Sequence, residues 1–147
     1  MTKYILQTRE KGYSACFVIA LLNARIYFNK PYLKSLNDPR WEEMIDRYRC
    51  RYGSCLELQL VRDDLNVMAE QIDRNEIPDN LPAQITSFTK VGFHSSLVTN
   101  CKGDNWTIVN YNGSRGKLIT TINKNHIKFL KRGHSSDRHW RISLKDA

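Results

Sequence analysis

Apolar residues follow two different periods along this chain, and the change falls near residue 83. Over residues 14–29 the sequence is apolar around almost the whole circumference of a helix, with Phe17, Ile19, Ala20, Leu21, Ala24, Ile26, Tyr27 and Phe28. A helix without a polar stripe belongs in the middle of a core. Ser14 offers a hydroxyl to cap its first turn and Pro31 prevents continuation, so Cys16 is expected beside N–H groups that have no partner within the helix. Asn37-Asp38-Pro39 reads as a cap followed by proline at the first helical position. It predicts an amphipathic helix through Trp41, Met44, Ile45 and Tyr48, broken at Gly53-Ser54. Leu58, Val61, Leu65, Met68 and Ile72 keep helical spacing and predict a third helix over about 56–75, although Leu56, Leu58 and Leu60 alternate as a strand would. Pro78 and Pro82 mark a loop.

Beyond residue 83 the apolar positions fall in short runs rich in β-formers, at 93–97, 106–109, 117–121 and 140–144. Turn-forming clusters at 100–105 and at Asn112-Gly113-Ser114 separate them. Helices followed by strands predict an α+β domain, its helical part over about 14–75 and an antiparallel sheet over about 83–147. At 147 residues the chain fits one such domain.

Charge adds an asymmetry that the apolar pattern does not show. The chain carries +8, yet residues 1–110 hold 14 Lys/Arg against 13 Asp/Glu, while residues 111–147 hold 9 against 2. Cations interleaved with aromatic residues over 124–141 are what a nucleic-acid or protein partner would meet; a solvated basic edge is the plainer reading. No apolar run approaches the ~20 residues of a membrane span, and Tyr4-Ile5-Leu6 is too short for a signal-peptide core. With four cysteines in a chain large enough to fold without staples, the expectation is a cytoplasmic protein with free thiols, not bound to a membrane. Cys50-x4-Cys55 lacks the short knuckles of common zinc motifs, so no metal is expected.

The chemistry lies in the nearly neutral part. If 93–99 and 106–111 form a hairpin about Lys102, His94 falls opposite Asn110 with Cβ atoms about 4.5–5.5 Å apart, close enough for the Asn side-chain oxygen to hold an imidazole N–H. A slip of one residue would put them on opposite faces. Cys16 at a helix start supplies a thiol. The helix terminus contributes about 0.3–2 kcal/mol, too little to ionise fully at neutral pH a thiol whose ordinary pKa is about 8.5, so a neighbouring imidazolium is required and His94 is the candidate. Gln7 is available to donate its amide to a developing oxyanion alongside the Cys16 N–H.

These residues, namely Gln7, the run Gly12-Tyr13-Ser14-Ala15-Cys16-Phe17, Phe93-His94-Ser95 and Ile108-Val109-Asn110-Tyr111, resemble the papain-like cysteine peptidases, in the style of the short bacteriocin-processing members. The resemblance implies Cys16 as nucleophile, His94 as base, Asn110 as third member of the triad and Gln7 as oxyanion donor. It implies a papain-like fold, a peptide or protein substrate and no cofactor. His94 and Asn110 follow Cys16 by 78 and 94 residues, against the ~130–150 of a full papain, which points to a minimal version. Small size without a targeting signal fits a phage or bacterial protein, acting in the host cytoplasm if phage-encoded. The alternative is a catalytically inactive scaffold that binds a partner protein or nucleic acid through its basic end.

Overall fold

In the computed structural model, residues 3–8, 15–50, 57–89, 92–112, 116–129 and 139–145 are described. Ser14, Gly53-Ser54, Cys55, Gly113-Ser114 and positions 130–138 of the basic stretch lie outside them. Three helices precede or adjoin a sheet: α1 (Cys16–Tyr27), α2 (Arg40–Arg47) and α3 (Leu58–Asp64). The strands are β1 (Val67–Ile72), β2 (Ala83–Thr89), β3 (Gly92–Lys102), β4 (Asn105–Val109), β5 (Ile119–Asn123) and β6 (His139–Leu144). They form one antiparallel sheet in the order β1-β6-β2-β3-β4-β5, so the fold is α+β.

All three helices stop at residues in the left-handed region: Asn29 (φ 59°), Arg49 (φ 56°) and Asn66 (φ 58°). At the end of α1, Asn29 N–H donates to the Ile26 carbonyl and Lys30 N–H to that of Arg25, the pair of bonds that closes a Schellman motif. The same pair at Arg49 and Cys50 ends α2 before Gly53 is reached. The third expected helix is cut by Asn66. Its second half, expected to be helical to 75, is instead strand β1, paired with β6 from Val67 opposite Leu144 to Ile72 opposite His139. Leu65, Met68 and Ile72 suit a helix stripe, but Met68 is half exposed, and Val67 and Ile72 are buried in the clusters on opposite faces of the sheet. β2 was hidden within what reads as a change of period, and its Ile85 and Ala83 are fully buried.

The sheet has an apolar cluster on each face. Against one lie α1 and α2, with Ile19, Leu21, Leu22, Trp41, Leu97, Val109 and Ile142. The other holds Ile77, Ile85, Val98, Trp106, Ile108 and Ile127 under the short 3-10 turns. α1 packs on β3 and β6, as its uninterrupted apolar circumference predicts. Among the described residues no helix is long and apolar enough to cross a membrane.

Candidate active site

α1 begins at Cys16, with Ala15 in the cap position and its carbonyl accepting Ile19 N–H at 2.9 Å. The N–H groups of Cys16, Phe17 and Val18 therefore precede the first intrahelical bond. Cys16 Sγ accepts the backbone N–H of Ser95 on β3 at 3.4 Å. His94, the neighbour of Ser95, is buried and hydrogen-bonded to the Cys16 side chain. Its Nε2 lies 2.6 Å from the backbone carbonyl of Asn110. A carbonyl only accepts, so Nε2 carries the proton and Nδ1 is the nitrogen left to exchange one with the thiol.

That contact corrects the expected role of Asn110. The side chain does not hold the imidazole; the main chain does. Asn110 adopts φ 58°, which ends β4 and turns its carbonyl toward His94. Its side chain is committed elsewhere: Oδ1 accepts Gln7 N–H at 3.0 Å and Nδ2 donates to the Ile5 carbonyl at 2.8 Å. Asn23, fully buried on α1, completes the clasp by accepting Ile5 N–H at 2.7 Å and donating to the Ile5 carbonyl at 3.1 Å. The segment Lys3–Thr8 is thus strapped across α1 and the end of β4, and Gln7 is buried beside Asn110.

The hairpin register also differs from the expected one. Lys102 pairs with Asn105, which puts the turn at Gly103-Asp104, not at Lys102. Continued unbroken, that pairing would bring Asn110 level with Leu97, on the face away from His94. A bulge between Val98 and Asn100 shifts the register by one, so that Leu97 pairs with Val109. Asn110 then comes level with Ser96, on the same side of the pleat as His94.

Electrostatics follow from this geometry. Burial on its own would push the Cys16 thiol up, but the hydrogen bond to His94, the charge of His94 and the Ser95 N–H outweigh it, and the pKa is lowered. For His94 burial acts downward, and the contact with Cys16 and the Asn110 carbonyl overcome it, so its pKa is raised. Cys101 is the contrast: burial pushes its thiol up to about 11, against which Lys124 acts weakly. Cys50 is buried in the helical cluster. Among the described residues no group of three His, Cys, Asp or Glu is placed to hold a metal ion.

The four residues singled out in the sequence therefore meet in one chain of contacts, Gln7 to Asn110 to His94 to Cys16. No protein-family model matches this sequence, and no curated protein matches it. Sequence reasoning missed Ser95, whose contribution is a backbone N–H, and Asn23. A lone asparagine within an otherwise apolar helix was the visible signal for the latter. A groove of 850 Å³ lies apart from the thiol, lined by Trp106, Lys124, Phe129 and His139 among others.

Proposed function

We propose that this chain is a small cysteine peptidase, or a related thiol acyl-transfer hydrolase, of papain-like type. One observation carries the reading: the Cys16 side chain, at the start of α1, touches His94, whose Nε2 is held at 2.6 Å by the Asn110 carbonyl, a contact that draws the thiol pKa down. A nucleophile bonded to a base that is itself oriented by a third group is the arrangement that covalent catalysis requires.

In the reaction, Cys16 Sγ attacks a substrate carbonyl carbon while its proton passes to His94 Nδ1. The tetrahedral oxyanion is met by the first N–H groups of α1, with the Gln7 amide as the second donor. His94 then gives the proton to the departing amine, leaving a thioester on Cys16. Water, deprotonated by His94, attacks that thioester and releases the acid, and the proton returns to sulfur. Throughout, the Asn110 carbonyl keeps Nε2–H in place, so only Nδ1 changes protonation.

The test is competitive alkylation. With iodoacetamide at neutral pH, Cys16 is expected to label well before Cys50 and Cys101, and His94→Ala to slow it at least about tenfold. Cys16→Ser is expected to abolish cleavage of a fluorogenic peptide library. Faster labelling of Cys50 or Cys101, with Cys16 unaffected by His94→Ala, would sink the reading.

A further inference from the structure

Arg62 has no part in that chemistry, and its surroundings are unusual for a surface arginine. It sits on α3 directly before two carboxylates and bonds to neither. Asp63 accepts from Lys145 Nζ at 2.8 Å and from Gln59 Nε2 at 3.0 Å. Asp64 accepts from Arg47 Nε at 2.6 Å and from the Tyr48 hydroxyl at 3.0 Å. The Arg62 guanidinium lies instead over two rings, its central carbon 4.5 Å from the centroid of Trp140 and 5.3 Å from that of Phe17.

There Nε is fully buried and, among the described residues, has no hydrogen-bond partner, although the residue as a whole is half-buried. Burial draws the pKa down and no carboxylate offsets it. Arg40, Arg47, Arg49 and Arg141 each have a carboxylate partner. Among the described residues none accepts a hydrogen bond from Arg62. Contact with Trp140 and Phe17 restrains the guanidinium before any ligand arrives, and a restrained guanidinium edge is suited to the paired oxygens of a carboxylate.

Phe17 follows Cys16 in the chain, so the guanidinium lies at most roughly 14 Å from the Cys16 Cα, the span of about four extended residues. We propose that Arg62 is a substrate-recognition residue, binding a carboxylate on the peptide whose carbonyl reaches Cys16. The inference rests on the thiol chemistry above. The carboxylate belongs either to an acidic side chain or to a free C-terminus, since one fork takes both.

The probes are three thiol-directed peptides: iodoacetyl-Ala-Glu-amide, iodoacetyl-Ala-Gln-amide and iodoacetyl-Ala-Gln with a free carboxylate, each also made with one more alanine. Cys16 is expected to react about tenfold faster with a carboxylate-bearing reagent than with the Gln amide, the worth of one charge-assisted contact. Which reagent gains identifies the source. The ratio should fall to about one in Arg62→Gln and keep part of its value in Arg62→Lys. Equal rates for all three reagents, or a preference that survives Arg62→Gln, would overturn the inference. If Arg62→Gln does not fold, Arg62→Lys and the loss of preference at high salt in the unaltered protein decide it. A carboxylate preference in labelling without any peptide cleavage upholds the recognition site and refutes hydrolysis. Cleavage without preference does the reverse.

Discussion

Asn110 separates two roles that a side-chain triad combines. Its main chain orients His94, whereas its side chain clasps Ile5 and Gln7. Replacement by glycine keeps the carbonyl and tolerates φ 58° but loses the clasp. Asn110→Gly is therefore expected to lower stability by about 1–3 kcal/mol, two hydrogen bonds' worth, while Cys16 alkylation stays within about threefold. Thermal unfolding and labelling of the same sample check both halves. Asn110→Ala loses the same clasp but keeps a Cβ in the left-handed region, and should cost more than the glycine variant in both measurements. The pH dependence has its own sign. A lowered Cys16 pKa means that thiolate persists as pH falls below a free thiol's ordinary value and disappears only through the lowered one. Its alkylation midpoint should lie below that of His94→Ala, where burial raises the thiol and, of the groups named above as lowering it, only the Ser95 N–H remains. Cys101 should label only as pH approaches about 11.

At the scale of elements, the bulge in β3 and the helix stops do the positioning. β2 also carries an apparent flaw. Gln84 is buried opposite Leu97, and neither amide atom has a hydrogen-bond partner among the described residues. An unpaired buried amide costs about 1–3 kcal/mol, so Gln84→Met, similar in length and without polar hydrogens, should raise Tm by roughly 2–10 °C on thermal melting. What the sequence made readable at this scale follows from residue chemistry. The α1 and α2 segments announce themselves because Trp41, Met44 and the run Val18–Ala24 have no alternative to burial. The third helix misled because Leu58, Val61, Leu65 and Ile72 satisfy helical spacing on both sides of a break. Only the backbone at Asn66 ends it, and the pairing of β1 with a strand some seventy residues away lies beyond any local window. Cys16, His94, Asn110 and Gln7 were legible as chemically distinctive types in one order. The carbonyl that holds His94 was not, because a main-chain contact leaves no mark on residue identity, and the one-residue bulge that aligns it is likewise silent.

For the whole molecule, the basic stretch that stands out in composition is partly neutralised. Lys124 pairs with Asp104 at 3.3 Å, Arg141 with Glu70 at 2.8 Å and Lys145 with Asp63 at 2.8 Å. These are exposed pairs, each worth about 0.2–1 kcal/mol. Replacing all three cations with glutamine is expected to lower stability slightly and to leave the salt dependence of DNA retention unchanged, since each is held by a carboxylate of its own chain. A steeper or weaker salt slope in the triple variant would assign them to nucleic acid instead.

The sheet order gives β6 a larger consequence. Last of the described strands in sequence, it sits between β1 and β2, and α1 rests on it. During synthesis the helix that begins at Cys16 emerges more than a hundred residues before β6, one of the strands on which it lies. Until that strand inserts, β1 has no neighbour and one flank of α1 has no floor, so the assembly is slow by its topology. A nascent chain would carry Cys16 as an ordinary thiol until His94 and Ser95 of β3 reach it, and α1 has its full floor there only once β6 docks. Reactivity toward iodoacetamide is then a timer for the docking of α1 on the sheet, readable on ribosome-stalled chains of increasing length.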